Sequence, residues 1–172
     1  MIQKKICLLG GFGVGKTSLV AQYVHSIFSE KYLTTIGVKI DKKSLAIDQA
    51  EVDLVIWDIY GHDDFQKLRT SYLRGASGYL LVVDGTRKAT LQTADDVRRL
   101  TEGAIGPVPF VLAVNKADLR EQWQIDADAI DERRRAGWHV VETSAKTGDM
   151  VEGVFASLAR AMLTNVSQSR HD

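Results

Sequence analysis

The stretch LLGGFGVGKTSLV, residues 8 to 20, constrains the fold more than any other part of this sequence. It begins with apolar residues typical of a buried strand, continues with four glycines in six positions, and then enters an apolar pattern with helical spacing. Gly10 to Thr17 reads G-x-x-x-x-G-K-T, in the strand-to-helix context that this motif requires. The chain is therefore expected to begin with a strand, a loop of accessible backbone and a helix.

A loop of this kind is suited to hold phosphate. Glycines let backbone N–H groups turn toward an anion, and the start of a helix adds positive potential. Lys16 can reach the terminal phosphates, and the Thr17 hydroxyl can bind Mg²⁺. A glycine-rich turn that merely joins strand to helix is the alternative, but it explains neither side chain. The predicted nucleotide contacts in this loop are Gly11, Phe12, Gly13, Val14, Gly15, Lys16, Thr17 and Ser18.

Strand-like runs alternate with helical patterns along the whole chain, which predicts an α/β fold. Continuous apolar runs at 80–83 and 111–114 are typical of strands buried on both faces of a parallel sheet. Segment 41–53 alternates around a short polar turn and predicts an antiparallel edge. We expect a mostly parallel six-stranded sheet with one antiparallel edge strand and helices on both faces. The predicted helices are 16–27, 65–74, 90–103, 126–136 and 149–163.

Length and composition indicate one domain over 1–172, because the chain has 172 residues, of which 45% are apolar. The 22 basic and 22 acidic residues cancel, so no overall field would attract nucleic acid or an anionic membrane. Cys7 lies in an alternating strand and is expected to be a small buried hydrophobe. The start MIQKKICLLG is too short for a signal peptide, and the tail NVSQSRHD has no cysteine for lipidation. We expect a cytoplasmic monomer without a direct membrane anchor.

A second candidate magnesium contact follows the apolar run LVIW. Asp58 ends this run and can hold a metal-bound water, and Gly61 three residues later can bring its N–H to a terminal phosphate. D-x-x-G alone is weak, because an acidic residue after a strand can also be a solvated turn or a helix cap.

Two further strand ends predict a pocket for a purine base. VLAVNKADL ends with Asn115, Lys116 and Asp118, and ETSAK contributes Ser144, Ala145 and Lys146. The Asp118 carboxylate only accepts hydrogen bonds, which matches the adjacent N1–H and amino donors of guanine and not adenine. Lys116 can lie along the base and brace the phosphate loop, and the Ala145 N–H can reach guanine O6. The sequence therefore predicts guanine selectivity.

The ordered motifs resemble the Ras superfamily of small GTPases, most closely the Rab-like branch. The resemblance covers nearly the whole chain through GGFGVGKTSLV, YLTTIGVKI, WDIYGHDDF, SYLRGASGYLLVVD, NKADL and ETSAKTGDMVEGVF. It implies the P-loop small GTPase fold, GTP or GDP as ligand, and Mg²⁺ held by Thr17, Thr35 and Asp58. It also implies that Phe28 packs against guanine. From the residues alone, Phe28 would instead be a core residue on the apolar face of the first helix.

The resemblance further implies a switch. Thr35 and Gly61 would both contact the γ-phosphate of GTP, so its loss would relax two loops that protein effectors read. Exchange and activating factors are further partners that the resemblance implies and that the sequence does not identify. The catalytic residues implied for in-line attack of water are Lys16, Gly61 and the residue that follows Gly61.

Three residues depart from the family pattern. Family members usually have a small residue at the position of Phe12, alanine at Tyr60 and glutamine at His62. Because glutamine orients the attacking water in the relatives, these departures predict slow hydrolysis. His62 can replace it as the catalytic residue, since DIYGH also resembles the D-x-x-G-H of translational GTPases. The alternative is a solvated loop histidine in a slow or inactive enzyme.

Other functions remain open from the sequence. A non-hydrolysing GTP-binding scaffold would share every binding motif and differ only in turnover. A P-loop kinase of small molecules is disfavoured by NKAD together with SAK. The tail without cysteines favours a soluble switch of the prokaryotic Ras-like kind.

Overall fold

The computed structural model describes residues 2–28, 37–59 and 70–169. The strands are β1 Ile2–Gly10, β2 Val38–Ile47, β3 Ala50–Ile59, β4 Gly78–Asp84, β5 Phe110–Asn115 and β6 His139–Glu142. The helices are α1 Lys16–His25, α2 Ala89–Ile105, α3 Ala127–Arg135 and α4 Val151–Ser169. Short 3-10 turns occupy Thr70–Leu73 and Ala117–Gln122.

The described strands form a six-stranded sheet in the order β2-β3-β1-β4-β5-β6. Of these pairings only β2 with β3 is antiparallel, while β3 with β1, β1 with β4, β4 with β5 and β5 with β6 are parallel. The predicted α/β fold with one antiparallel edge strand is confirmed. The continuous apolar run in β4 predicted a parallel strand correctly, because this strand is buried along its whole length between parallel neighbours.

The edge hairpin turns through two residues. Asp48 and Gln49 have φ of 47° and 72°, and Ile47 pairs with Ala50 on either side of them. Two left-handed residues in succession give a turn whose twist matches that of the flanking strands. The polar residues at the turn therefore explain why this edge reverses direction while the rest of the sheet does not.

Both faces of the sheet are covered by helices. In β1, Ile6 and Leu8 face the core formed with α1 and α4, whereas Cys7 and Leu9 face the core formed with α2 and α3. This follows from the alternation of side chains along a strand. Cys7 is buried as predicted, and burial raises the pKa of its thiol to about 11.

The first helix is shorter than predicted. It ends at His25, and Ser26 adopts a left-handed conformation with φ 54° while its N–H bonds back to the helix. Phe28 lies beyond this end and is 39% exposed. The interpretation of Phe28 as a core residue of the helix is therefore wrong, because a helical face cannot continue through a left-handed cap.

The other helices follow the sequence closely. The helix predicted over 126–136 spans Ala127–Arg135, and the Asp126 carboxylate caps it by accepting a hydrogen bond from the Ala129 N–H at 2.9 Å. Only the end of the helix predicted over 65–74 falls within the described residues, where the chain forms the 3-10 turn Thr70–Leu73. Within the described ranges, no helix combines the length and apolarity needed to cross a membrane.

The parallel strands place their carboxyl ends along one edge of the sheet. Gly10 of β1 pairs with Val82 of β4, Leu8 pairs with Asp58 of β3, and Asp84 lies opposite Asn115. In open α/β sheets, ligands bind beyond such an edge. The residues that follow these strands therefore define where a site can form.

Candidate nucleotide-binding site

The glycine-rich loop leaves β1 at this edge, and its two outer glycines are required by close contacts. A Cβ on Gly10 would lie 2.3 Å from the Val82 carbonyl oxygen, and a Cβ on Gly15 would lie 2.3 Å from Asn115 Nδ2. Gly13 and Gly15 also have left-handed φ of 72° and 105°. Glycine is therefore needed both for the turn of the loop and for its close approach to neighbouring strands.

Lys16 begins α1 and folds back under the loop. Its side chain is buried, and its Nζ donates hydrogen bonds to the Gly11 oxygen at 2.9 Å and the Gly10 oxygen at 3.3 Å. Backbone N–H groups at a helix N-terminus and a buried ammonium group together create positive potential. The loop thus has the electrostatic character that an anionic ligand requires.

Two oxygen ligands suitable for a metal meet beside Lys16. The Thr17 hydroxyl donates a hydrogen bond to Asp58 Oδ2 at 2.6 Å, and the Asp58 carboxylate is buried near the end of β3. Mg²⁺ prefers hard oxygen ligands and commonly combines one or two protein oxygens with those of a bound phosphate. Thr17 and Asp58 therefore fit such an ion, and their role as its ligands stays a prediction.

Asn115 links three segments of the site. Its Nδ2 donates to the Val14 oxygen at 3.1 Å, so β5 holds the glycine-rich loop. Its Oδ1 accepts from Thr143 Oγ1 at 3.2 Å and from the Ala145 N–H at 3.3 Å. This buried amide therefore braces the loops that follow β1, β5 and β6.

The predicted base pocket is organised around Asp118. This exposed carboxylate accepts a hydrogen bond at 2.8 Å from the hydroxyl of Ser144, which is buried. Ser144 is itself fixed, because its hydroxyl accepts from the Thr147 N–H at 3.1 Å. The NKAD and ETSAK motifs, which are separated in sequence, thus meet in space. Lys146 lies exposed beside them.

Asp84 completes the site, and sequence reasoning missed it. The carboxylate is buried at the end of β4, where Lys116 Nζ lies 2.7 Å from its Oδ2. Burial favours the neutral acid, but the contact with Lys116 and two hydrogen bonds from Thr86 outweigh it and hold the pKa of Asp84 below its usual value. The aspartate at the end of β4 is a signal of the same kind as Asp58 and Asn115, and it closes the family-like stretch SYLRGASGYLLVVD, from which no role was assigned to it.

Arg87 and Trp123 were also missed. Arg87 Nη2 donates a hydrogen bond to the Phe12 carbonyl oxygen, and the Trp123 indole N–H donates to the Lys116 oxygen at 2.8 Å. A Cβ on Gly85 would lie 2.2 Å from the Trp123 ring, so this ring packs directly against the backbone after β4. None of these three contacts follows from a sequence pattern.

Phe12, in the glycine-rich loop, is 37% exposed. Phe28, also exposed, follows the cap of α1. Thr35, Tyr60, Gly61 and His62 lie outside the described residues. Their predicted roles remain predictions.

A glycine-rich loop between the central strand and a helix, at the carboxyl edge of a mostly parallel sheet, defines the class of P-loop nucleotide-binding proteins. Within that class, residues 5–164 match the Ras family. The chain belongs to the Ras family, and it is a GTP-binding small GTPase.

Individual relatives support the same assignment. The chain is 32% identical to the Ras-related protein Rab-8B of Homo sapiens, over 98% of this chain and 82% of the relative. It is 34% identical to the Ras-related protein Rab-1 of Theileria parva, over 95% and 76%. It is 32% identical to the Ras-related protein Rab-13 of Canis lupus familiaris, over 92% and 79%. The predicted resemblance to the Rab-like branch is confirmed.

Proposed function

We propose that this chain is a switch that binds GTP or GDP together with Mg²⁺ and hydrolyses GTP slowly. The observation that carries the proposal is the set of hydrogen bonds made by Asn115. Its side-chain amide links the glycine-rich loop to both motifs of the base pocket. A phosphate site and a base site held by one buried side chain can bind the two ends of a single nucleotide. The distance between them is then fixed before the ligand arrives, which lowers the cost of ordering on binding.

Base selection falls to Asp118. Its carboxylate, oriented by Ser144, would accept both donors on the Watson–Crick edge of guanine, whereas adenine would leave the charge unpaired. The Ala145 N–H, which donates to Asn115 Oδ1 in the structure, would share its hydrogen bond with guanine O6, and Phe28 would cover one face of the base. Asn115 and Lys116 would support this pocket through the loops that they hold.

The phosphates would lie in the loop of residues 11–18. Its N–H groups and Lys16 would neutralise charge on the transferred phosphoryl group, which is the main task of a phosphoryl-transfer site. Thr17, Thr35 and Asp58 would hold Mg²⁺, which supplies further charge neutralisation when bound. Thr35 and Gly61 would contact the γ-phosphate, so that GTP and GDP stabilise different arrangements of their loops.

Partner selection follows from this difference. An effector that binds only the GTP-stabilised arrangement gains a coupling free energy of about 1–3 kcal/mol, which is about 5- to 150-fold in affinity. The partners we propose are therefore protein effectors, with exchange and activating factors that read the same loops. The protein would work as a cytoplasmic monomer.

The experiment that tests this function identifies the nucleotide carried by the purified protein and follows its turnover. We expect GDP on the isolated protein and measurable conversion of added GTP to GDP in the presence of Mg²⁺. GTP retained without turnover would instead indicate the non-hydrolysing scaffold.

Phe12→Gly is expected to change hydrolysis more than binding. The Arg87 hydrogen bond to position 12 uses the main chain, so removal of the ring leaves this contact available. We expect the single-turnover rate constant, or its response to an activating factor, to change at least about threefold while the Kd for GTP changes less than about twofold. Phe12→Leu is the control that keeps apolar bulk. Weaker affinity at an unchanged rate would show that the ring is a packing element.

His62→Ala is expected to slow hydrolysis because His62 takes the water-orienting position in our proposal. Such a group contributes roughly 10²- to 10⁴-fold in well-formed sites, and we expect a loss of at least about tenfold in this slow enzyme. The readout is single-turnover GTP hydrolysis. His139→Ala, at an exposed histidine on β6, serves as the matched control. An unchanged rate in His62→Ala removes the histidine from the mechanism.

A further inference from the structure

Asp84 is a buried acidic side chain near the glycine-rich loop, and the family resemblance gives it no role. Its side chain is 1% exposed at the end of β4. Oδ1 accepts hydrogen bonds from the Thr86 N–H at 2.9 Å and the Thr86 hydroxyl at 2.7 Å. Oδ2 lies 2.7 Å from Lys116 Nζ and 3.3 Å from Arg87 Nε. One carboxylate therefore forms ion pairs with two cations.

Both cations also contact the glycine-rich loop. Arg87 Nη2 donates to the Phe12 oxygen, and Lys116 Nζ lies 3.5 Å from the Gly13 oxygen, at the limit of a hydrogen bond. These two carbonyl groups are consecutive in the chain. Each cation therefore lies beside one of two neighbouring peptide groups of the loop.

The direction of a carbonyl group fixes the direction of an N–H group. A trans peptide is planar, so its C=O and N–H point to opposite sides. The Phe12 carbonyl shares a peptide with the Gly13 N–H, and the Gly13 carbonyl shares one with the Val14 N–H. Cations that attract the two carbonyls therefore turn these two N–H groups away from Arg87 and Lys116. Gly13 supplies the necessary left-handed conformation, with φ 72°.

We propose that Asp84 is a positioning residue that, through Arg87 and Lys116, orients the Gly13 and Val14 N–H groups toward the bound phosphates and so slows nucleotide release. The inference rests on the proposed function, because it needs phosphate in the loop. Asp84 itself does not touch the nucleotide. Without its charge, the two cations repel each other and lose their common anchor.

Release of GDP and of GTP should depend on Asp84 to the same extent. P-loop N–H groups cradle the α- and β-phosphates, which both nucleotides carry. A residue that acted on the switch would instead affect GTP more, since only GTP has a γ-phosphate. The comparison of the two nucleotides therefore separates loop positioning from switching.

The main experiment measures dissociation rates of fluorescent GDP and of a fluorescent non-hydrolysable GTP analogue. For Asp84→Asn we expect both rates to rise by the same factor, about 10- to 100-fold, as for loss of one partner of a buried charge pair. Asp95→Asn is the matched control, because Asp95 pairs with Arg133 at 2.8 Å on the helices behind the sheet. We expect Asp95→Asn to release both nucleotides at the wild-type rates. Wild-type rates in a folded Asp84→Asn protein, or a rise for one nucleotide alone, would overturn the inference.

A second set of variants keeps the test decisive if Asp84→Asn does not fold. Arg87 is 43% exposed, so Arg87→Ala should leave the fold intact. We expect release of both nucleotides about 3- to 10-fold faster, with Arg87→Lys between this variant and wild type, because lysine keeps a cation beside Asp84. In the double variant with Asp84→Asn and Arg87→Ala, the release rate should rise by less than the product of the two single increases. Both substitutions remove the same contact between Asp84 and Arg87. An unchanged rate in Arg87→Ala, or multiplicative effects, contradicts the inference.

The wild-type protein distinguishes this inference from the proposed function. If wild type binds no guanine nucleotide, the proposed function itself fails. If wild type binds and releases guanine nucleotide while Asp84→Asn and Arg87→Ala release it at the same rate, only the role of Asp84 fails.

Discussion

Asp118→Asn should lose affinity for GTP by roughly 10²- to 10⁴-fold and gain affinity for xanthosine triphosphate. An asparagine places an amide donor where guanine also presents a donor, and in the complex this mismatch costs the hydrogen bond and the desolvation of both groups. Xanthine has an oxygen at that position and accepts the new donor. The Ser144 hydroxyl can still donate to Oδ1 of the asparagine, so the pocket keeps its geometry. Competition binding with GTP and xanthosine triphosphate measures this change in base preference.

Asp126→Asn is the matched control for this variant. Asp126 is another exposed carboxylate, but it caps α3, and asparagine caps helices equally well. Its affinity for GTP should equal that of wild type. Wild-type GTP affinity in Asp118→Asn, with no gain for the xanthine nucleotide, would show that this carboxylate does not select the base.

Asn115→Ala is expected to reduce both stability and nucleotide binding. It removes the partner of the Val14 oxygen, the Thr143 hydroxyl and the Ala145 N–H at once. A buried polar group left unsatisfied costs about 1–3 kcal/mol, and partial relaxation should leave a loss of about 3 kcal/mol in the free energy of unfolding. Nucleotide affinity should fall at least about 100-fold, because the phosphate loop and the base pocket are no longer tied together. Chemical denaturation and nucleotide dissociation measure the two effects.

A buried polar residue far from the site provides the comparison. Thr101 on α2 donates to the Val97 oxygen at 2.8 Å and is fully buried. Thr101→Val should change the free energy of unfolding while leaving nucleotide affinity unchanged. Equal losses of affinity in the two variants would mean that binding only follows global stability.

The sequence predicts the parts of this molecule that depend on local pattern. Continuous apolar runs identify the buried parallel strands, the alternating segment identifies the antiparallel edge, and Asp126 marks the start of α3. The glycine-rich loop is also a local signal, since its spacing follows from how a backbone surrounds phosphate. Family membership then follows from the order of such signals along the chain.

The remaining features depend on contacts between residues far apart in the chain. Asn115 bonds Val14 across 101 residues, and Arg87 bonds Phe12 across 75, so neither contact leaves a periodic signal. Asp84 is visible only as an acidic strand end, and what makes it important is the pair of cations brought to it by β5 and the turn after β4. At Phe28, by contrast, a local pattern gave a prediction that was wrong. Its apolar spacing continues that of α1, but Ser26 ends the helix before the pattern does.

Calorimetric titration of the nucleotide-free protein with GTP, GDP and ATP in the presence of Mg²⁺ tests the central claim most directly. We expect tight binding of both guanine nucleotides and at least about 10³-fold weaker binding of ATP, because adenine would leave the Asp118 carboxylate without a donor. Equal affinities for ATP and GTP, or no binding of either, would show that Asp118 does not select guanine.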